Sequence, residues 1–158
     1  MVDFQVTISG FGDEIASDPS EQLRVLADLG IQHLDLRGAW DRNILDFSDD
    51  DVAGLQRALV EYGATVAMIA SPIGKRPVTE GAVHEEQRLD RAIRLADQFG
   101  TPLIRLFSFY YEGIEHAACR DTVIERLGGW ARTAEGAGVT LLLENEADLW
   151  GDTPEHLH

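Results

Sequence analysis

A carboxylate, an amide and a second carboxylate, Glu144-Asn145-Glu146, follow directly on the apolar run Val139-Thr140-Leu141-Leu142-Leu143. A continuous Val/Leu run is the pattern of a parallel strand buried on both faces. In α/β folds, chemistry gathers at the C-terminal ends of such strands. Glu144 therefore stands where a proton-transferring or metal-binding carboxylate belongs. Left alone after four apolar residues, its charge would be costly unless paired or metal-bound. A salt-bridged or helix-capping glutamate at a strand end is the competing reading.

Other residues offer ligand chemistry. Arg37 and Trp40 combine a guanidinium with two parallel donors and a flat indole, which suits a ligand rich in hydroxyls or carrying a phosphate. Arg37 could equally pair with Asp35 across one residue of the same strand face. Glu14 follows the first strand and His116 lies in a loop after the fourth, where solvation is the plainer expectation for both. Phe107 aligns with Arg105 on strand four. Asn145 is a turn residue unless it orients a ligand, and Glu146, Asp148 and Asp152 read as a solvated acidic loop.

The elements that must position these residues alternate from end to end. Phe4 to Gly10 reads as a strand. A helix then opens on Asp18-Pro19-Ser20-Glu21, with Asp18 as N-cap and Pro19 at the first helical position, and closes at Gly30. Ile31 to Leu36 is the second strand. Ser48-Asp49-Asp50-Asp51 resembles a capping box with Asp for Glu, opening a helix to Gly63. Ala64 to Ala70 is the third strand, Glu80 to Phe99 a long helix, and Pro102 to Phe107 the fourth strand. A helix from about Cys119 to Ala137 is expected to be interrupted at Gly128-Gly129. Val139 to Glu144 is the fifth strand. No strand pair is joined by a tight hairpin, so the pattern is repeated βαβ, one unit over residues 1–158.

An open nucleotide-binding sheet is disfavoured. Gly10-Phe11-Gly12-Asp13-Glu14 lacks a third glycine and puts acids where a pyrophosphate needs backbone N–H groups. A barrel fits better. Gln5, Thr7 and Ser9 share one strand face, as do His33, Asp35 and Arg37, and Thr140, Leu142 and Glu144. Such polar inner faces belong to a barrel with its site at the mouth.

With 13 basic and 28 acidic residues the net charge is −15. That disfavours nucleic acid and anionic membrane surfaces, both of which are bound through Lys/Arg clusters. No apolar run approaches the ~18–20 residues of a membrane span, and the N-terminus lacks a basic region followed by an apolar one. A cytoplasmic location is the expectation. The single cysteine, Cys119, reads as a buried inert thiol.

Four segments together, Phe11-Gly12-Asp13-Glu14-Ile15, Leu36-Arg37-Gly38-Ala39-Trp40, Ile104-Arg105-Leu106-Phe107-Ser108 and Leu142-Leu143-Glu144-Asn145, resemble the sugar phosphate isomerase/epimerase group of xylose-isomerase-like TIM barrels. The resemblance runs the length of the chain and is most specific at the fifth-strand Leu-Glu-Asn. It implies a parallel (β/α) TIM-barrel domain, incomplete at its C-terminus. About five of eight βα units are present, where a whole barrel takes about 250 residues. It implies that Glu144 is a metal ligand and proton-transfer base for a divalent ion (Mn, Mg, Co or Zn) whose other ligands lie outside this chain. Arg37, Trp40, Glu14, Phe107 and His116 become substrate-binding candidates, and a small sugar or sugar phosphate the partner. The implied reaction is isomerisation or epimerisation by proton transfer beside a carbonyl. An inosose-type dehydration begins with the same step. A third expectation, from another class, is that the chain alone is catalytically silent, a folding unit that self-associates through open sheet edges.

Overall fold

The computed structural model describes residues 6–157. Five strands form one parallel sheet: β1 (Ser9–Phe11), β2 (His33–Leu36), β5 (Thr65–Ala70), β6 (Leu103–Leu106) and β7 (Thr140–Leu143). Four helices connect or follow them, α1 (Pro19–Asp28), α2 (Asp49–Tyr62), α3 (Val83–Phe99) and α4 (His116–Gly136). The spatial order β1-β2-β5-β6-β7 follows chain order without reversal. A doubly wound sheet reverses at a switch point; this one winds in one sense, as a barrel wall does.

Helices α1 and α2 open as their sequences dictate. The Asp18 carboxylate accepts from the Ser20 and Glu21 N–H groups at 2.7 and 3.4 Å, with Pro19 at the first turn. Ser48 and Asp51 form the reciprocal capping box. Arg42 holds Asp51 with two 2.7 Å bonds, and these with the Ser48 contacts depress the Asp51 pKa to about 2. Leu23, Leu55, Leu59, Leu89, Leu95 and Val123 from the helices pack onto Leu34, Leu36, Ile69 and Ile104 of the sheet to form the core.

Register assigns the opposite face. Phe11 pairs with Asp35, Asp35 with Met68, Ala70 with Arg105 and Arg105 with Leu142. The ladder continues one step, with the Glu144 N–H donating to the Leu106 carbonyl at 2.9 Å. Alternation then puts Ser9, Asp35, Arg105 and Glu144 on the face away from the helices.

Several expectations are corrected. The first strand occupies Ser9–Phe11 rather than residues 4–10; Phe4 and Gln5 lie outside the described residues. A hairpin does occur: β3 (Gly38–Ala39) and β4 (Arg42–Asn43) pair antiparallel. Its turn residues Trp40 and Asp41 have φ of 52° and 56°, as a two-residue primed turn requires. No glycine announces it. The Trp40 N–H to the Ser17 carbonyl at 2.6 Å and the indole against Phe47, 5.5 Å between centroids, hold that conformation in place. Helix α3 starts at Val83, three residues later than expected. Helix α4 runs unbroken through Gly128-Gly129, because glycine keeps its N–H and costs only about 1 kcal/mol in a helix. Buried Val123, Trp130 and Ala134 anchor it on either side.

Candidate active site

Arg105 and Glu144 meet at the C-terminal end of the sheet, Nη1 to Oε2 at 2.9 Å. Their exposures differ sharply: the arginine side chain is 9% exposed and the glutamate 41%. Arg105 Nη2 donates to the Ala70 carbonyl at 3.0 Å, and the Ser71 hydroxyl donates to the Arg105 carbonyl at 2.6 Å. The guanidinium lies over Phe107, 4.5 Å from the ring centre, with Phe11 at 5.8 Å. Its Nε–H is buried without a partner among the described residues. Burial pulls the Arg105 pKa down, Glu144 offsets part of that, and the neighbouring positive charge of Arg37 lowers it further.

Around this pair the rim is tied by further ions. Arg37 Nε donates to Asp13 at 2.7 Å and Nη2 to Glu14 at 3.1 Å, with the guanidinium 4.8 Å from the Phe11 ring. The hydrogen bond that Arg37 donates to Asp13 is the main cause of a raised Arg37 pKa. Lys75 reaches Glu146 at 2.6 Å and sits 4.3 Å from the centre of Phe107. On the floor, Asp35 is buried and takes the Ser9 hydroxyl at 2.9 Å. Burial raises its pKa; the Ser9 bond and Arg105 work against that.

The structure thus brings Glu144, Arg105, Phe107, Arg37 and Glu14 to one end of the sheet. The Arg37–Asp35 pairing is replaced: Asp13 and Glu14 capture the guanidinium, and Asp35 turns to Ser9. Phe107 is buried beneath Arg105 and Lys75. Trp40 belongs elsewhere, its ring on Phe47 and beside Gly54 of α2. His116 is no loop residue but the first residue of α4. Its Nε2 contacts the Trp150 carbonyl at 2.8 Å, and its ring stacks on Trp150 and His156 at 4.9 and 3.8 Å between centroids. With Ile124, Leu127, Leu143 and Leu157 it lines a cavity of about 610 Å³. The acidic loop is structured too: Glu146 binds Lys75, Asp152 takes His156 Nδ1 at 2.8 Å, and Leu149 and Trp150 are buried. Asn145 is exposed.

Sequence reasoning passed over Lys75 and Asp13 as site residues. Each is a charge just beyond the C-terminal end of a strand, and that position was the available signal. In the sequence Arg105 is marked by its strand face and by the Ile104-to-Ser108 segment, neither of which points to Glu144 as its partner.

Among the described residues the Glu144 carboxylate is bonded only through Oε2, which leaves Oε1 for a ligand. No three His, Cys, Asp or Glu side chains gather among the described residues where they could hold a metal ion. One carboxylate oxygen does not make a divalent-ion site, so the described residues do not fit an ion on their own. No helix among them is long and apolar enough to cross a membrane.

A singly wound parallel sheet with helices outside defines part of a (β/α) barrel, with charged side chains at the strand C-termini. The chain belongs to the xylose isomerase-like TIM barrel family, whose model matches residues 23–158. A xylose isomerase-like TIM barrel protein from Mycobacterium smegmatis, solved in complex with magnesium, is similar at 24% identity and TM-score 0.67, covering 87% of this chain and 50% of its own. A D-tagatose 3-epimerase-like protein reaches TM-score 0.72 at 15% identity, over 96% of this chain and 58% of its own. D-allulose 3-epimerase from Methylomonas sp., in complex with D-allulose, reaches 0.67 at 16% identity, over 92% and 53%. This chain therefore spans about half the length of these structures. No curated protein matches it.

Proposed function

We propose that the chain is the N-terminal part of a sugar isomerase or epimerase in which Glu144 moves the proton beside the substrate carbonyl. The observation that carries this reading is the state of Glu144. It sits at the C-terminal end of β7 with one oxygen held by Arg105 and the other open. A carboxylate so presented takes a proton from the carbon next to a carbonyl and returns it. Protonation of that carbon on its opposite face, by a second acid other than Glu144, is epimerisation; return of the proton by Glu144 to the neighbouring carbonyl carbon is isomerisation. Arg37 and Glu14 stand at the rim as hydroxyl-binding groups and Phe107 backs Arg105, while Trp40 on Phe47 and His116 against Trp150 stand apart from the pair. The substrate is a small sugar or sugar phosphate. A divalent ion (Mg, Mn, Co or Zn) enters this reading through Glu144 with ligands from beyond the chain, in keeping with the magnesium in the M. smegmatis protein.

The test uses a polypeptide carrying these 158 residues and the rest of the barrel, incubated with ketohexoses and Mg²⁺ or Mn²⁺ in D₂O. Deuterium enters the sugar beside the carbonyl, and Glu144→Gln slows this by at least ~10²-fold, the low end of what a positioned acid–base group contributes. Unchanged exchange in the variant removes Glu144 from the mechanism. A product lighter by one water would redirect the assignment to dehydration.

A second reading concerns the chain by itself. Strands β1 and β7 are the two ends of the sheet, and Leu142 and Leu143 on β7 are exposed. Open edges with apolar flanks invite pairing. The 158-residue chain is expected to self-associate, to turn over no sugar and to bind no divalent ion tightly. A monodisperse monomer by size exclusion that takes up one Mn²⁺ at micromolar affinity would overturn this.

A further inference from the structure

Glu144 has a single polar side-chain partner among the described residues, Arg105. It is the half-exposed member of its ion pair and, among the described residues, is bonded through one oxygen only. Arg105 is different. Its backbone carbonyl is held by the Ser71 hydroxyl, its Nη2 by the Ala70 carbonyl, and its guanidinium face by Phe107. None of these restraints involves Glu144. Ala70 ends β5 and Ser71 follows it, Arg105 belongs to β6, and Glu144 directly follows β7, so the contacts run across three adjacent strands.

We propose that Arg105 is a positioning residue: it is set from the β5 side and in turn sets the direction of the Glu144 carboxylate. The planar guanidinium offers two donors at a fixed angle, one to Ala70 and one to Glu144. The glutamate then has a single bonded oxygen and a defined open one. A point charge would attract the carboxylate without fixing its plane. This inference rests on the reading of Glu144 as the proton-transfer group, yet it describes a mechanical relation that is measurable without turnover.

An ordinary ion pair would order both partners mutually; here the dependence runs one way. Side-chain NMR relaxation on the 158-residue chain separates the two. In the wild type the Arg105 Nε–H and the Glu144 methylenes are both ordered, with order parameters of about 0.8, on a scale where values below about 0.6 mark flexible groups. In Glu144→Gln the Arg105 Nε–H stays ordered. In Arg105→Met the Glu144 methylenes fall below about 0.6. Arg105→Lys is the second variant, since an ammonium on a flexible stem cannot span Ala70 and Glu144 with the same fork, and Glu144 loosens there as well. Glu144 remaining ordered in either Arg105 variant, or Arg105 loosening in Glu144→Gln, would overturn the proposal. Failure of the deuterium-exchange test would leave these relaxation results standing, so the two claims fall separately.

Discussion

Removing the exposed member of the Arg105–Glu144 pair is predicted to harm stability more than removing the buried one. Two unit charges about 4 Å apart attract by about 4 kcal/mol at the effective dielectric of a protein surface. Glu144 is 41% exposed, so water screens part of this, and the discounted coupling is about 1–3 kcal/mol. Glu144→Gln retains an acceptor but leaves the guanidinium charge, 9% exposed, without its counter-ion; the expected cost is about 1–3 kcal/mol. Arg105→Met behaves differently. It forfeits the bond to the Ala70 carbonyl, about 1 kcal/mol. It also removes a buried charge and an Nε–H that has no partner among the described residues, an unmet donor costing about 1–3 kcal/mol. The methionine stem packs on Phe107 in the same space, and the carboxylate left behind is half in water. These terms cancel to within about 1 kcal/mol.

The assay is urea unfolding at pH 7 and one fixed protein concentration, for the parent, both single variants and the double. Unchanged m-values with shifted midpoints would validate the comparison. The double variant is expected to lie close to Arg105→Met, because once the guanidinium is gone Glu144→Gln has nothing left to strand. If Arg105→Met costs over 2 kcal/mol more than Glu144→Gln, the argument from unequal burial is wrong.

Asp35 gives a pH prediction. Burial raises its native pKa, so the folded state binds this proton more tightly than the unfolded chain does. Its contribution to stability is complete below the ordinary aspartate range and is lost as pH rises through the raised native value. Asp35→Asn, with the Ser9 contact still available, is therefore expected to exceed the parent in urea midpoint at pH 7, with the gap closing towards pH 4; a gap that widens on acidification would refute this. Asp51 has the opposite sign. With its pKa lowered to about 2 by Arg42 and Ser48, its support for the hairpin-to-α2 junction is full above the ordinary aspartate value and fades as pH falls towards 2; a carboxyl NMR titration centred near 4 would contradict the cap geometry. Gly74→Ala is expected to destabilise by about 1–2 kcal/mol on conformation alone. Its φ is 84°, and a Cβ would run into the Phe107 carbonyl, to which no side-chain movement offers relief; a thermal midpoint within a degree of the parent would exclude that packing.

Much of the frame is legible in the sequence because local signals coincide with the global fold. Asp18-Pro19 and Ser48…Asp51 cap helices where they stand, and Gly63 and Gly100 end helices in the left-handed region. The hairpin was not legible: a Trp-Asp turn carries no glycine, and tertiary contacts from Ser17 and Phe47 enforce it. His116 escaped for a related reason. Glu115 ahead of it makes no capping bond, so nothing in the sequence marks the start of α4, and burial against Trp150 decides instead. The partner of Glu144 was illegible in principle from either strand alone. Arg105 reaches Glu144 only because Arg105 stands opposite Leu142, and a slip of one residue would send every side chain of β7 to the other face. Register is a property of the pair.

The charged contacts at the rim have a common geometry that bears on what Glu144 can do. Arg37 after β2 binds Asp13 and Glu14 after β1; Lys75 after β5 binds Glu146 after β7; Arg105 on β6 binds Glu144 after β7. Each pair ties one turn or strand end to another, so the pairs fix where the turns sit relative to one another, and individually exposed ones contribute little to stability. Of these carboxylates, Glu144 is the one whose cation is itself locked into the sheet by backbone contacts. The other two cations, Arg37 and Lys75, are about a third exposed and can follow their partners. A reacting carboxylate needs a fixed plane and an open oxygen together. On the reading proposed for Glu144, the buried guanidinium at this mouth would supply the first condition and partial exposure the second.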